Sequence, residues 1–346
     1  LETLPYSWYA EPEMLRREQE LIFARSWQYA GHMGQLPEPG SFFTYTAGLT
    51  PIVVTRARDE ELRAFVNVCR HRGFTVAQGE GRRETLQCPY HAWTYGLDGS
   101  LRAAPRSELE PGFDRTELGL MPAGVGTWGP FVFVNPDAEG APLEEALGRM
   151  PQQVAELGLD VDALEFRLRS EFELEANWKI CCENFLECYH CQLVHPDLSE
   201  AIDVSADGYG LETEGLVSTQ HAPVRSEVTE HYDGRGEITA GQFHYLWPGT
   251  VVNILHGRPN ISIGPVNPIT HTRTSRFLDY FFRPGEDQEW IDQLVEFDEQ
   301  VGREDRGLVE GVQRGVTSGV ISSGRLLERS ERLIAHFQAL TAAALG

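Results

Sequence analysis

The segment CRHRGFTVAQGEGRRETLQCPYHAW, residues 69–93, begins with Cys-x-His and carries Cys-x-x-His near its end. These two short motifs supply four candidate ligands, Cys69, His71, Cys88 and His91. The whole chain has only 6 Cys in 346 residues, so a disulfide framework is not expected. Thiolate and imidazole groups are the ligands that zinc and iron–sulfur sites use. The segment therefore predicts a metal centre.

The order of the ligands favours iron over zinc. A Cys2His2 zinc site normally has a Cys-x-x-Cys pair followed by a pair of His, whereas each end of this segment supplies one Cys and one His. That alternation suits a [2Fe–2S] cluster in which two Cys hold one iron and two His hold the other. Gly73 and Pro89 fit tight turns that let backbone amides approach the cluster sulfurs. Zinc remains the alternative.

These motifs, with 16 residues between His71 and Cys88, resemble those of the Rieske family. Respiratory Rieske proteins carry an additional Cys in each ligand loop. The residues that flank the ligands here include no Cys: Arg70, Arg72, Gly73, Pro89 and Tyr90. The resemblance is therefore to the oxygenase branch of the family, and the chain is much longer than a Rieske ferredoxin.

A second motif lies in NWKICCENFLECYHCQLVHPDL, residues 177–198. A mononuclear Fe(II) site of the oxygenase type uses two His and one carboxylate, and leaves other positions open for O2 and substrate. Glu187, His190 and His195 follow the spacing acid, two residues, His, four residues, His. This pattern resembles the α subunits of Rieske non-haem iron oxygenases. The resemblance covers most of the chain, including the start of the sequence, LPYSWYAEPEMLRREQELIFARSW.

The third iron ligand is expected far downstream. In the family it is an Asp that precedes a Gln on a C-terminal helix. Asp305 stands eight residues before Gln313 and is the favoured ligand. Asp298 is the alternative, and the other acids of this stretch are expected on a solvated helix face.

The resemblance also implies a role for Glu187. In the family this acid links a His ligand of the mononuclear iron, here His190, to a His ligand of the cluster, here His91 of the partner subunit. A carboxylate between two imidazoles fixes both tautomers. Most members have Asp at this place, and Glu occurs in a subset that resembles carnitine, glycine betaine and proline betaine oxygenases and demethylases. Because Glu187 and His190 are three residues apart, they are expected to share one helix face over 177–195, which ends before Pro196.

The hydrophobic pattern predicts an α+β protein. Strands are expected in residues 40–135, in a second strand-rich region that starts at 163–174, and in 243–283, and helices at 11–27, 142–158, 177–195 and from about 286 to the end. The predicted organisation is an N-terminal helical part of the catalytic domain (1–39), an inserted all-β Rieske domain (40–150), and the catalytic domain (151–346). The resemblance implies that this last domain has an antiparallel sheet flanked by helices, of the helix-grip type.

Composition limits the partners. The net charge is −23, so a nucleic-acid partner is not expected. The excess of carboxylates is interpreted as a feature that keeps the protein soluble, and it also permits a cationic substrate. No apolar run approaches the ~20 residues of a membrane span, and no secretory signal is visible. The chain begins with Leu1 rather than Met, so residues before it are expected to be missing. A reducing, cytoplasmic location is the prediction.

The resemblance predicts the oxygenase component of a Rieske oxygenase. A separate flavin or iron–sulfur reductase would carry electrons from NAD(P)H to the [2Fe–2S] cluster, and a mononuclear Fe(II) would use them with O2. The expected assembly is a homotrimer, and the expected substrate is a small N-methylated or quaternary amine, hydroxylated with N-demethylation or C–N cleavage. The alternatives are an aromatic-ring hydroxylating mono- or dioxygenase, and an electron-transfer protein without oxygenation.

Four further residues receive weaker assignments. Tyr245 and Trp247 are substrate candidates that could face a methylammonium group, although packing within a sheet competes with that role. Cys188 and Cys191 form Cys-x-x-Cys around His190, and they are expected to be small buried helix residues rather than a redox or zinc pair.

Overall fold

The structure, a computed structural model, describes residues 1–346 and contains two compact units. The smaller unit comprises residues 23–143, and the larger unit comprises residues 1–22 and 144–346. Both units contain antiparallel sheets, and the larger one carries the long helices, so the α+β prediction is confirmed. None of the helices combines the length and apolarity that crossing a membrane requires.

The strands of the smaller unit are β1 (Gln28–His32), β2 (Ser41–Ala47), β3 (Thr50–Arg56), β4 (Leu62–Val66), β5 (Glu80–Arg82), β6 (Thr85–Gln87), β7 (Thr94–Gly96), β8 (Leu101–Ala103), β9 (Pro122–Trp128) and β10 (Phe131–Asn135). The strands of the larger unit are β11 (Glu165–Leu174), β12 (Gly210–Glu214), β13 (Val217–Pro223), β14 (Ala240–Leu246), β15 (Thr250–Ile254), β16 (Asn260–Thr270) and β17 (Arg273–Phe282). The helices are α1 (Pro12–Leu21), α2 (Leu143–Leu147), α3 (Met150–Glu156), α4 (Trp178–Phe185), α5 (Cys191–Val194), α6 (Pro196–Ala201), α7 (Gln288–Thr317) and α8 (Arg332–Leu345).

The smaller unit is built from two antiparallel sheets. One has the order β1-β10-β9-β4-β3-β2-β5, and a three-stranded sheet has the order β6-β7-β8. Strand β1 pairs with β10 through residues such as Gln28 and Val134. The unit therefore takes in residues 23–39, which the sequence analysis assigned to the N-terminal helical part, because β1 finds its partner far along the chain.

The larger unit is organised around one antiparallel sheet with the order β11-β17-β16-β15-β14-β13-β12. Helix α4 lies against β16 and β17, and α7 lies against β11 and α4. This packing brings α4 and α7, on which the predicted site residues are centred, to the same part of the sheet. Strands β14 to β16 are buried along most of their length, and the sheet is rich in the β-branched and aromatic residues that favour extended backbone.

Two predicted helices are interrupted. The helix predicted at 142–158 is two short helices, α2 and α3, separated at Gly148, which has φ +51° and therefore leaves the helical conformation. The helix predicted at 177–195 ends at Phe185, and residues 186–190 form a turn before α5 begins. In this turn the Glu187 carboxylate accepts hydrogen bonds from the backbone N–H groups of Tyr189 and His190. Such bonds compete with the helical pattern.

Helix α4 is held to α1 by a buried ion pair. The Lys179 ammonium lies 2.5 Å from the Glu18 carboxylate, and neither side chain is exposed to solvent. The indole N–H of Trp178 donates a second hydrogen bond to Glu18 at 2.7 Å. At the start of the helix, the Gln313 side chain of α7 accepts the backbone N–H of Asn177 at 2.7 Å. These contacts fix α4 against both α1 and α7.

We expect Lys179→Met to lower the free energy of unfolding by about 3–5 kcal/mol, because it leaves the Glu18 carboxylate buried without its counter-ion. The double variant Glu18→Gln/Lys179→Met should recover most of this loss, because it removes both charges. Denaturant titration followed by Trp fluorescence measures both effects. If Lys179→Met lowers the free energy of unfolding by less than about 1 kcal/mol, the buried Glu18 carboxylate does not depend on the Lys179 ammonium.

Candidate functional site

Two loops of the smaller unit, residues 69–74 and 88–93, have matching backbone hydrogen bonds. The N–H of Cys69 donates to the Phe74 carbonyl, and the N–H of Cys88 donates to the Trp93 carbonyl, each at 2.8 Å. In each loop the fifth residue donates back to the Cys carbonyl at 3.0 Å. That fifth residue has a positive φ in both loops, +76° at Gly73 and +58° at Ala92. The two loops are therefore built alike, although their sequences differ.

The side chains of these loops form a sulfur pair and an imidazole pair. Cys69 and Cys88 are buried in the core of the unit, and neither forms a disulfide. Burial and the neighbouring Cys69 thiol raise the pKa of Cys88. The rings of His71 and His91 lie 4.5 Å apart at their centroids, and both residues are exposed. The Tyr95 hydroxyl lies 3.3 Å from the Cys69 sulfur. A buried pair of Cys next to an exposed pair of His fits a cluster with two different irons.

A second constellation lies in the larger unit, where His190, His195 and Asp305 meet. The Nε2 atoms of the two His are 3.2 Å apart, and the Asp305 carboxylate lies 3.4 Å from Nε2 of His190 and 3.1 Å from that of His195. Ligand atoms bound at right angles, about 2.1 Å from one metal, lie about 3 Å from one another. The triangle therefore has the dimensions of three ligands on one side of a metal ion.

Each of the two imidazoles presents its other ring nitrogen to a carboxylate. Nδ1 of His190 hydrogen-bonds to Glu187, and Nδ1 of His195 hydrogen-bonds to Glu304 at 2.6 Å. Glu304 in turn accepts a hydrogen bond from Gln300, one turn earlier on α7. Carboxylates in this position fix the His tautomer so that Nε2 is free to bind a metal. Glu187 was expected from the sequence, whereas the only sequence signal of Glu304 is its place beside Asp305.

The electrostatics of this constellation favour a bound cation. Burial raises the pKa of Asp305, but hydrogen bonds from His190, His195 and Asn184 outweigh it and hold that pKa well below its usual range. Burial lowers the pKa of His190, but hydrogen bonds to Asp305 and Glu187 raise it to about 9. The carboxylates thus concentrate negative charge around the two imidazoles, as a divalent ion requires.

Glu183, next to Asn184 on α4, predicts a pH dependence of stability. Burial raises the pKa of this carboxyl to about 7, although the Tyr9 hydroxyl and the Gln338 amide donate hydrogen bonds to it. Because the folded-state pKa is raised, the contribution of Glu183 to stability is fully present below the pKa of the unfolded chain, 4.5. That contribution is lost as the pH rises through about 7. Stability should therefore fall between pH 4.5 and 7, by roughly 3 kcal/mol at most from this group.

Glu183→Gln should flatten this slope and increase the free energy of unfolding above pH 7. Denaturant midpoints measured at half-unit pH steps test it. The exposed Glu20→Gln is the matched control and should keep the wild-type slope. An unchanged slope in Glu183→Gln would contradict the assignment.

A cavity of about 360 Å3 opens onto the His190, His195 and Asp305 side chains. Aromatic and acidic residues line much of it, including Phe172, Phe185, Tyr209, Phe243, Tyr280, Phe297, Glu171, Glu187, Asp298 and Glu299. Asp298, the alternative ligand, is half-buried in this lining and accepts a hydrogen bond from the Tyr280 hydroxyl at 2.7 Å. It is not part of the three-residue group that can hold a metal.

The two aromatic substrate candidates do not line this cavity. Tyr245 is buried, its hydroxyl bonds to the Pro248 carbonyl, and its ring packs against Phe337 of α8 at 5.9 Å. The Trp247 indole N–H donates to Thr341, also on α8, at 3.3 Å. Helix α8 covers this end of strand β14, so both residues serve packing, which was the competing interpretation.

The structure pairs Cys188 with Cys191 in a disulfide that spans the turn before α5. This corrects the expectation that both are simply buried helix residues. The Cα atoms of the two residues are 4.9 Å apart, within the range of a disulfide. Cys181 and Cys182, within α4, are free and buried.

Comparison with known proteins supports both centres. Residues 26–113 match the Rieske [2Fe-2S] domain, and residues 161–346 match the ring hydroxylating α subunit (catalytic domain). The chain belongs to the Rieske oxygenase α-subunit family. Its members are oxidoreductases that use a [2Fe–2S] cluster and a mononuclear iron, and they take electrons from a separate reductase.

Relatives with known functions align over nearly the whole chain. The chloroplastic choline monooxygenase of Spinacia oleracea is 34% identical over 97% of this chain and 76% of its own length. The carnitine monooxygenase oxygenase subunit of Escherichia coli (strain K12) is 33% identical over 98% of this chain and 93% of its own length. The solved quaternary ammonium Rieske monooxygenase, described for carnitine oxidation and inter-subunit electron transfer, has a TM-score of 0.88 and 32% identity, and covers 100% of this chain and 96% of its own.

Proposed function

We propose that this Rieske oxygenase hydroxylates a small quaternary or N-methylated ammonium compound. The observation that carries the proposal is the cavity, which combines aromatic faces with carboxylates and opens onto His190, His195 and Asp305. Aromatic faces attract a methylated ammonium group through cation–π contact, and nearby carboxylates favour its charge. The choline and carnitine monooxygenases that resemble this chain support the same substrate class.

The residues that hold the metals belong to the same proposal. Cys69, Cys88, His71 and His91 would hold the [2Fe–2S] cluster, and His190, His195 and Asp305 would hold the mononuclear iron. When bound, these groups supply single electrons and the activation of O2. The cavity walls bind the substrate so that one C–H bond faces the three ligands. Glu187 and Glu304 hold the imidazoles in the tautomer that leaves Nε2 free.

The overall reaction would consume one O2 and two electrons, which come from NAD(P)H through the reductase. One oxygen atom enters the C–H bond, and the other leaves as water with two protons. If the carbon is an N-methyl group, the carbinolamine product releases formaldehyde and the demethylated amine. Hydroxylation of another carbon next to nitrogen would cleave the C–N bond and release a tertiary amine and an aldehyde.

A substrate screen tests the proposal. The purified protein, supplied with an active reductase and NADH, is incubated with betaines, choline, N-methyl amino acids and aromatic acids. We expect NADH oxidation coupled to formaldehyde, tertiary amine or aldehyde from one group of ammonium compounds. Ring hydroxylation of an aromatic acid, without turnover of any ammonium compound, would move the enzyme to the aromatic-hydroxylating alternative. Cluster reduction without oxygenation of any compound would favour the electron-transfer alternative.

We also propose a homotrimer in which the cluster of one subunit serves the iron of the next. Exposed apolar residues lie beside both centres: Phe74 and Tyr90 beside the cluster ligands, and Tyr189 and Leu193 beside His190. Leu193 is 89% exposed, which is unusual for a side chain of this type unless a partner covers it. In a head-to-tail contact, the apolar surface beside the cluster of one subunit would meet the apolar surface beside His190 of the next. Closure of a three-membered ring would cover both surfaces on every subunit.

Light scattering of the active enzyme tests the trimer, and a monomeric species with full activity would refute it. The matched variants Leu193→Asp and Leu49→Asp both place a charge on an exposed apolar residue. Only Leu193→Asp should weaken assembly of the trimer.

A cytoplasmic location stays a prediction from the sequence.

A further inference from the structure

Arg276 is a cation in the wall of the cavity that has no polar partner. It lies on strand β17, where Arg276, Leu278 and Tyr280 alternate along one face of the sheet and all line the cavity. Its guanidinium makes no hydrogen bond and no ion pair, and its Nε is buried without any hydrogen-bond partner. The guanidinium lies over the Phe172 ring, whose centroid is 5.2 Å from the guanidinium carbon.

Two carboxylates of the cavity are already bonded. Asp298 accepts a hydrogen bond from the Tyr280 hydroxyl at 2.7 Å, and Glu299 accepts one from Ser170 at 2.5 Å. Arg276 contributes to the electrostatic field at Asp298, where it lowers the pKa that burial raises, but the two residues form no ion pair. Arg303, a second Arg in the cavity lining, is exposed and bonds to Glu296 at 2.6 Å. Arg306, the third Arg of the lining, is exposed, so water can satisfy its donors. Arg276 is therefore the partly buried cation of the lining whose bonding capacity is unused.

A partly buried guanidinium without a partner costs free energy, because it has lost water without gaining a hydrogen bond. The planar group donates two parallel N–H bonds to a carboxylate and matches its geometry. The cation–π contact with Phe172 places the guanidinium of Arg276 against an aromatic face in the cavity wall. Such a residue is preorganised for an anion that arrives with the substrate.

We propose that Arg276 binds a carboxylate of the substrate, so that the enzyme acts on zwitterions that carry an ammonium group at one end and a carboxylate at the other. This inference rests on the proposed function for the ammonium end only. The carboxylate lies at the sheet, against Arg276 and Phe172, and the ammonium group lies toward His190, His195 and Asp305. A simple cation such as choline leaves Arg276 unpaired and places a second positive charge in the same cavity.

The test compares zwitterionic betaines of different chain length with the carboxamide of each, because an amide keeps the size and the ammonium group but removes the negative charge. We expect wild-type kcat/KM to be at least about 50-fold higher for the favoured betaine than for its amide. Arg276→Gln should lower kcat/KM for the betaine by about 50-fold or more and leave the amide within about threefold. The kcat/KM of Arg276→Lys for the betaine should lie between those of the wild type and Arg276→Gln, because Lys keeps the charge but loses the paired donors.

Arg283→Gln, which changes an exposed Arg just beyond the end of β17 and outside the cavity lining, is the matched control and should change neither substrate's kcat/KM by more than about threefold. Calorimetric titration of the oxidised protein without reductase gives the same comparison for binding alone. Equal use of betaine and amide by the wild type, or an equal loss for both in Arg276→Gln, would overturn the proposal. The wild-type comparison needs no variant, so it decides the question even if Arg276→Gln does not fold.

The outcome separates this inference from the proposed function. If no ammonium compound binds, but aromatic acids bind more tightly than their amides and lose that preference in Arg276→Gln, the substrate class is wrong and the role of Arg276 stands. If choline is the preferred substrate and Arg276→Gln does not impair it, the proposed function stands and the zwitterion inference fails.

Discussion

Asp305→Ala should abolish oxygenation while leaving the visible spectrum of the [2Fe–2S] cluster intact. Asp305 supplies the only carboxylate in the triangle with His190 and His195, and its oxygen lies 3.1 Å from Nε2 of His195. Without it, two imidazoles alone would hold the mononuclear iron weakly. We expect turnover to fall by roughly 1,000-fold or more. Iron analysis should show the loss of one iron per chain, with acid-labile sulfide unchanged.

The matched control is Asp298→Ala, which removes the neighbouring acid of the cavity. Asp298 accepts the Tyr280 hydroxyl and lies outside the metal triangle, so this variant should keep the mononuclear iron. Its effect should appear mainly in KM, because Asp298 lines the cavity. Loss of the iron in Asp298→Ala, with the iron kept in Asp305→Ala, would show that the ligand assignment is wrong.

Glu187→Gln should leave both metal centres in place and slow electron transfer between them by about 10- to 100-fold. The Glu187 carboxylate accepts a hydrogen bond from Nδ1 of His190 and one from the backbone N–H of Tyr189. A carboxylate has further acceptor sites, one of which can receive the ring N–H of His91 of the partner subunit. The amide has the same size but loses the charge and one acceptor oxygen. Single-turnover reoxidation of the reduced cluster measures the rate.

Glu304→Gln is a closely matched control, since Glu304 hydrogen-bonds to Nδ1 of His195 at 2.6 Å as Glu187 does to His190. It should weaken iron binding without the same loss in the reoxidation rate per bound iron. If the cluster of Glu187→Gln is reoxidised at the wild-type rate, Glu187 does not link the two centres for electron transfer. Equal slowing in both variants would mean that any carboxylate behind an imidazole has this effect.

The parts of the protein that local spacing determines were predictable. Cys69, His71, Cys88 and His91 stand in two short loops, and each loop is closed by hydrogen bonds between residues no more than five positions apart. The strands from β2 to β4 and from β14 to β17 are rich in β-branched and aromatic residues, and the two C-terminal helices have a regular apolar repeat.

Features that depend on distant contacts were not predictable. Strand β1 needs β10, about a hundred residues away, and its five residues alone carry little signal. The Glu187 carboxylate interrupts the predicted helix by taking the backbone N–H groups of the turn, and the helical spacing of Glu187 and His190 concealed this. The unused guanidinium of Arg276 is visible only when its neighbours are known. Glu304 likewise became a functional candidate only through its contact with His195.

The most direct test of the central claim is a single turnover without the reductase. The protein is reduced chemically under anaerobic conditions, the reductant is removed, and a betaine and O2 are then added. The account predicts reoxidation of the cluster together with up to one molecule of hydroxylated product, or of the amine released from it, per chain. Asp305→Ala should give no product. Reoxidation with every ammonium compound recovered unchanged, while an aromatic acid is hydroxylated under the same conditions, would contradict the account.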